Sequence, residues 1–392
     1  MVDHCSKRTA GMRGGLCYTE EDLTCEIMLL PDSAQRIKFL DWLRGLAAVI
    51  MLQGHTFHAL LRPEDREGAP FIFSQFFGGQ AAAVFLFLTG VTFGLGMNRR
   101  EELKPWHRVI AALARARYLF LLAFLFRLQT FAFSWPHSRW TDLMKVDVLN
   151  AMGATAGLLA LSALASGISR VRAAAAAGVF IAGISPVIAG LDTSRAPWFL
   201  RGYFVPNADS FSVFPWGAYL AFGLAAGSAI PLIERKHWSR VMQWAALVGF
   251  ALLLGGQYFS NLPYSIYQHS DFWIDSPALV ACKLGNTLLL AAAAFLWTEY
   301  FSVGWSWVRQ LGTTSLAVYW VHVELVYGRW LTNYKERLSL WPCVGAVAAV
   351  TVLMLLVSLA VTWLRRYWRE RPRGVPAEFL AETAQPELAR ID

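Results

Sequence analysis

An arginine and a histidine eleven positions apart in an apolar run put a fixed cation and a titratable base on one side of one helix. The stretch Arg36–His58 reads RIKFLDWLRGLAAVIMLQGHTFH. At about 100° per residue, Arg44 and His55 differ by three turns plus roughly 20° and lie about 16 Å apart along the axis. Asp41 falls about 60° from Arg44, and His58 about 40° to its other side. Four ionisable residues therefore share a face, while Leu46, Val49, Ile50 and Leu52 point elsewhere. A histidine titrating near pH 6.5 suits general acid–base work at neutral pH. The arginine stays charged and binds phosphate or carboxylate. Plainer readings stand beside these. Asp41 and Arg44 also fit an i,i+3 ion pair with the arginine snorkelling, His55 a helix-packing histidine, and His58 a surface one.

A second candidate pair is His322 and Glu324, in the apolar run YWVHVELVYG. Residues at i and i+2 diverge on a helix, so one of the two is expected to face a site. Lys283 and Asn286 share a face in the preceding apolar run, and both are candidate partners for Glu324. Arg115, Arg117 and Arg127 lie in a third apolar run, after a loop carrying Arg99, Arg100, Lys104 and Arg108. Such a basic mouth suits a phosphate-bearing donor, although lysine and arginine gather in cytoplasmic loops in any case. The small residues Gly78, Gly79, Gly90, Gly94 and Gly96 fit close helix packing or, around Thr89 and Gly90, approach of a ligand to the backbone. Asp147 and Asn150 are positioned to meet an acceptor outside. The sequence holds no phosphate-binding loop, GxSxG, HExxH or dinucleotide fingerprint, and no metal-ligand cluster or bound cofactor is expected.

The elements that must hold these residues are membrane helices. The chain has 392 residues, 56% hydrophobic and 16% charged, with a mean hydropathy of +0.40. A soluble core of this size could not bury so much apolar surface, and bilayer hydrocarbon accounts for the excess. The net charge of +8 reflects basic loops beside anionic lipid, and no nucleic-acid motif accompanies it. Cys5, Cys17, Cys25, Cys282 and Cys343 form no CxxC and read as isolated thiols.

Ten apolar stretches are long enough to span, near 37–60, 71–97, 108–133, 146–166, 171–191, 211–233, 239–259, 277–300, 311–332 and 341–364. The short link between the fourth and fifth predicts a tight helical hairpin. With the N-terminus inside, fifteen lysines and arginines after the tail fall in inner loops and eight in outer ones, which favours both termini in the cytoplasm. Tryptophans, 17 in all, cluster at the expected interfaces. The expectation is an all-α polytopic membrane bundle: a polar cytoplasmic tail over 1–36, disordered by composition; a membrane domain over 37–366; and a cytoplasmic tail over 367–392.

Arg44, ten residues and His55 resemble the arginine–histidine signature of the membrane-bound acyltransferase family 3 proteins. The wider frame, LDWLRGLAAVIMLQGH with FLFLTGVTFGLG, RYLFLLAFLFRLQ, VDVLNAMG, FPWGAYLAFG and LGTTSLAVYWVH in order, is more similar to relatives with a heparan-alpha-glucosaminide N-acetyltransferase catalytic domain. That lysosomal type carries Asn where this chain has His55, so His55 follows the family 3 pattern. The resemblance implies transfer of an acyl group, acetyl above all, from acyl-coenzyme A as co-substrate to a hydroxyl or amine of a carbohydrate-like envelope acceptor. In that scheme His55 is the base, Arg44 holds the donor, Asp41 fixes Arg44, and His322 belongs to the same site. Arg99, Arg100, Arg115, Arg117 and Arg127 meet the donor's phosphates. The expected setting is a bacterial plasma membrane. A transporter or flippase would need the same polar stripe, and no internal symmetry between the halves supports one.

Overall fold

The structure, a computed structural model, describes residues 37–370 except His137, Asp209 and Val303. The N-terminal tail with Cys5, Cys17 and Cys25, and the C-terminal tail beyond residue 370, lie outside the described residues. Those described are helical, and no β-strand occurs among them. In chain order the α-helices are α1 (Lys38–Leu60), α2 (Ala69–Gly78), α3 (Gln80–Asn98), α4 (Pro105–Ser134), α5 (Val148–Leu159), α6 (Gly167–Ala189), α7 (Trp198–Phe204), α8 (Val213–Ala229), α9 (Trp238–Ser260), α10 (Pro277–Leu296), α11 (Trp307–Thr313), α12 (Ser315–Tyr327) and α13 (Leu340–Glu370).

Seven segments are long and apolar enough to cross a bilayer. They are α2 with α3, α4, α6, α8 to Leu232, α9 from Arg235, α10 to Phe301, and α13. Three of the expected spans fall short of that criterion for separate reasons. Arg44, Gln53, His55 and His58 make α1 too polar. The segment Val148–Leu164 is short, ending in a 3₁₀ turn over Ala160–Leu164. The stretch expected as one span over 311–332 is two helices, broken at Thr314 (φ −123°, ψ 21°). The second expected span is also two helices, joined at Gly79 within one apolar segment. The fourth and fifth are joined by a short link, Ala165 and Ser166, but do not pair as the expected hairpin: α6 packs on α8, and α5 on α4. The last helix runs four residues past the expected end of the membrane domain at 366.

Burial sorts the helices into layers. The α8 span is 67% buried inside the protein, α9 only 11% and α13 17%. So α8 is central, while α9 and α13 turn most of their apolar surface outward, as lipid-facing helices do. Close crossings pull the centre together. Gly90 and Gly94 of α3 lie directly against the backbone of α8 at Leu220, Gly223, Leu224 and Gly227. A methyl group at any of these four glycines would meet main-chain atoms, so the glycine stripe serves helix packing and leaves no gap for a ligand at Gly90.

The same device fixes α1. Gly45 packs on the Val308 carbonyl of α11, and Gly312 packs on the Asp41 carbonyl of α1. Further along, Gly54 meets Gly78 of α2 backbone to backbone. At its end α1 is clasped by the loop between α12 and α13: Arg62 N donates to Leu338 O (2.9 Å), Leu338 N to Leu60 O (3.0 Å) and Glu336 N to Ala59 O (3.1 Å). Glu336 adopts a positive φ of 55° to make this turn. On the other side α11 and α12 are tied to α13 through Gln310, whose amide donates to Ser358 Oγ (3.0 Å) and Thr362 Oγ1 (2.7 Å), and through Thr314 and Ser358 hydroxyls 2.6 Å apart. A core of Ala48, Leu52, Leu311, Val318, Cys343 and Met354 fills the space between. The helices bearing His55 and His322 are thus held at both ends.

Candidate active site

His55, on the last two turns of α1, faces His322 near the middle of α12. Their rings lie nearly coplanar, 18° between planes and 5.2 Å between centroids, and His55 Nδ1 lies 2.9 Å from His322 Nε2. His322 is completely buried, and its Nδ1 lies 3.0 Å from the Val318 carbonyl one turn earlier. A carbonyl can only accept, so His322 Nδ1 carries a proton. In neutral His322 the other nitrogen, Nε2, then holds a lone pair and accepts from His55 Nδ1–H. The order of bonds leaves His55 Nε2 without a proton. Two neutral imidazoles so arranged present one free basic nitrogen.

Around this pair the walls are aromatic. Tyr327 stands edge-on to His55 at 5.3 Å, and its hydroxyl reaches His58 Nδ1 at 3.4 Å. His58 itself is exposed at the end of α1. Tyr319 packs edge-on against His322 at 5.8 Å and touches Phe126 of α4 at 5.4 Å. Beside it the Trp320 indole donates to Gln129, also on α4. Amide hydrogen bonds from Gln75 to the Gly54 carbonyl (3.1 Å) and from Gln53 to Ser74 lock α2 against the turn bearing His55.

Arg44 and Asp41 form an ion pair at 2.8 Å three residues apart on α1. They occupy the other half of the helix, about 16 Å from His55. Both are partly buried, with 22% and 14% of their side chains exposed.

A family model described as an acyltransferase domain, that of the acyltransferase 3 family, matches residues 37–363. The chain belongs to that family. No curated protein matches this acyltransferase-family chain. The match starts within a residue of α1 and extends into α13, so it takes in all the helices that build the histidine pair. A membrane acyltransferase is what the sequence and the apolar helices describe together.

Not every residue singled out in the sequence joins this acyltransferase site. Arg127 faces Asp147 Oδ2 at 3.3 Å, and both lie close enough to Tyr319 for their charges to reach it. That brings Arg127 to the same half of the bundle as His322, away from Arg115 and Arg117. Those two are exposed on α4, with the Arg115 guanidinium over its neighbour Tyr118 at 5.5 Å. Arg99 is exposed beyond α3, while Arg100 lies within charge range of Arg115. The five arginines therefore divide into an inner group and Arg127 rather than forming one cradle.

Other pairings differ from the sequence expectation. Lys283 does not meet Glu324. Its ammonium donates to the Gly79 carbonyl at 3.1 Å and lies 4.7 Å from the Trp216 ring centre. Glu324 turns instead toward Trp330, Arg329 and Lys335 on the loop between α12 and α13. Asp147 accepts from the N–H groups of Leu149 and Asn150, and Asn150 accepts from Asp147 N, a reciprocal cap that starts α5. Asp147 thus serves as a helix cap and as the counter-ion of Arg127. Arg108 and Arg170, counted as loop cations in the sequence, are buried. Among the described residues no three His, Cys, Asp or Glu side chains converge as metal ligands.

Proposed function

We propose that this membrane acyltransferase moves an acyl group, acetyl in the simplest case, from acyl-coenzyme A to a hydroxyl or amine of a carbohydrate-like envelope acceptor, with His55 as general base. The hydrogen-bond order Val318 O, His322, His55 carries the reading, because it leaves His55 Nε2 as the free nitrogen. The acceptor's proton passes to that nitrogen as its oxygen or nitrogen attacks the thioester carbonyl. Collapse of the tetrahedral intermediate breaks the carbon–sulfur bond, and the departing thiolate takes the proton back from His55. The products are an ester or amide and free coenzyme A. His322 holds the ring and its tautomer, the part a carboxylate plays in acyl-transfer triads, without that group's negative charge.

Arg44, steadied by Asp41, binds a donor phosphate or orients the pantetheine arm, with Arg99, Arg100 and Arg115 at the mouth. The distance of about 16 Å between Arg44 and His55 suits a long, thin donor lying along α1. Donor entry from the cytoplasm and acceptor access from the opposite side follow if the chain crosses ten times with both termini inside. That requires α1, α5 with its 3₁₀ turn, and α11 with α12 to cross as well as the seven apolar segments. The basic inner loops support the orientation. The wider motifs that resemble heparan-alpha-glucosaminide N-acetyltransferase support a sugar acceptor, and the composition of the loops a bacterial plasma membrane.

The test is transfer from acyl-labelled acyl-coenzyme A to an envelope glycan extract by protein in lipid nanodiscs, with release of the free thiol measured in parallel. His55→Ala is expected to lower transfer by at least 100-fold while donor binding persists. Transfer at the wild-type rate by His55→Ala would refute the assignment.

A further inference from the structure

Besides buried Arg108, which lies within charge range of Glu101 and donates to the Leu164 carbonyl, four cations sit inside the bundle, and three of them have a carboxylate within 4 Å. Arg44 has Asp41, Arg127 has Asp147, and Arg170 has Glu101. The fourth, Lys283, has none among the described residues. Its ammonium has three N–H groups. One goes to the Gly79 carbonyl (3.1 Å), and the Trp216 face attracts the charge at 4.7 Å. A charge at such depth is costly without a counter-ion, and those that persist line a ligand path or a water-filled hollow. Lys283 is surrounded by protein atoms on most sides and is partly buried as a residue, with its bond to Gly79 at its exposed margin.

Its position relates it to His55. Gly79 is the junction of α2 and α3 within one apolar segment, and its carbonyl accepts from the Lys283 ammonium. The residue before it, Gly78, packs backbone to backbone on Gly54, the neighbour of His55. Three steps of about 3.8 Å, through Gly78 and Gly54, bring the Gly79 Cα within about 11 Å of the His55 Cα, and the ammonium lies one hydrogen bond (3.1 Å) beyond the Gly79 carbonyl. Gln80 and Thr287, which flank Lys283, are bonded to each other (2.9 Å), and both donate to the Lys283 carbonyl (2.8 Å each). They fix the backbone and leave the ammonium as the free charge. One turn on, Asn286 lies on the same face of α10.

We infer that Lys283, framed by Gly79 and Trp216, is the anion subsite for the acceptor, so that the acceptor is an acidic saccharide whose carboxylate or phosphate meets this ammonium while its hydroxyl or amine meets His55. The inference rests on the acyl-transfer reading of His55. The donor's own phosphates are accounted for at the other end of α1, about 16 Å away, so an anion beside Lys283 belongs to the second substrate. A neutral sugar would leave the ammonium unpaired in the loaded site.

The experiment follows the amine directly. Full-length protein in phosphatidylcholine nanodiscs is treated with acetic anhydride, and acetylation of Lys283 is timed by peptide mass spectrometry with glucuronate, with glucose, or with neither. Exposed Lys104 and Lys236 serve as references. Glucuronate is expected to slow Lys283 at least fivefold and to leave the references unchanged, while glucose has no effect. His55→Ala should show the same protection although it transfers nothing, which separates failure of the subsite from failure of the catalytic reading. Lys283→Arg should keep the KM for an acidic acceptor within about threefold, and Lys283→Gln should raise it at least tenfold with less change in kcat. An unreactive Lys283, equal protection by glucose, or protection by phosphatidylglycerol in the disc with none by glucuronate would overturn the assignment.

Discussion

Two buried polar clusters at opposite ends of the bundle are built on opposite terms. At one end, Arg170 is wholly buried and has partners at all three guanidinium nitrogens. It donates to Ser228 Oγ (3.2 Å), the Ala165 carbonyl (3.4 Å), Asn98 and Glu101 (2.5 Å), joining α3, α6, α8 and the loop after α3. Arg108 adds a bond to the Leu164 carbonyl at 3.2 Å. Burial works against the Glu101 carboxylate, but the Gly167 N–H, Arg170 and Arg108 outweigh it and hold its carboxyl below the usual range. At the other end, the His55–His322 pair satisfies three ring nitrogens and leaves the fourth with a lone pair. A cluster with every donor matched is a joint. A cluster with one group left over, in a helix pair braced at both ends, is a place for chemistry.

That contrast orders the expected effects of mutation. His55→Ala removes the base and should lower transfer at least 100-fold with little loss of stability, measured by thermal unfolding in the same detergent. His322→Phe keeps an aromatic ring but deletes the acceptor for His55 Nδ1–H. It should cut kcat about tenfold, broaden the pH–rate profile and leave donor KM near wild type; unchanged kcat would make His322 mere packing. Arg170→Met should do the reverse, costing on the order of 1–3 kcal/mol of stability by stranding Asn98 and Ser228 while transfer per folded molecule stays within about twofold. The Glu101 carboxyl is depressed in the folded state, so its stabilising share is fully present above the ordinary carboxylate range and is lost as the pH falls through its lowered value. The stability gap between wild type and Arg170→Met should therefore narrow in acid, as melting curves across that range would reveal. Tyr327→Phe, which loses only a 3.4 Å contact to exposed His58, should change either property by less than twofold.

Much of α1 was legible in its sequence. A period of 3.6 residues is a property of one helix, so the shared face of Asp41, Arg44 and His55 and the Asp41–Arg44 pair could be read from spacing alone. His322 stood out because an imidazole in an apolar run needs a reason. Partners on other helices could not be read in this way. Lys283 was matched with Glu324 because both were unexplained charges, yet the Gly79 carbonyl accepts from the ammonium, and Glu324 turns to the loop between α12 and α13. Breaks themselves were hidden: Thr314 ends a helix inside an apolar run, where hydropathy registers no change. Arg170 looked like a loop cation because the link between α5 and α6 is short and polar, whereas the fold closes α3 and α8 over it. The glycines read correctly as packing residues, since a missing Cβ is visible in the sequence even when the backbone it meets is not.

The direct measurement of the central claim is the nitrogen-15 spectrum of the protein in nanodiscs, with histidine labelled and His55 assigned by its absence in His55→Ala. The account predicts a protonated Nδ1 on His55, coupled through its hydrogen bond to Nε2 of His322, and an unprotonated Nε2 at neutral pH. A proton resting on His55 Nε2, with Nδ1 bare, would contradict it.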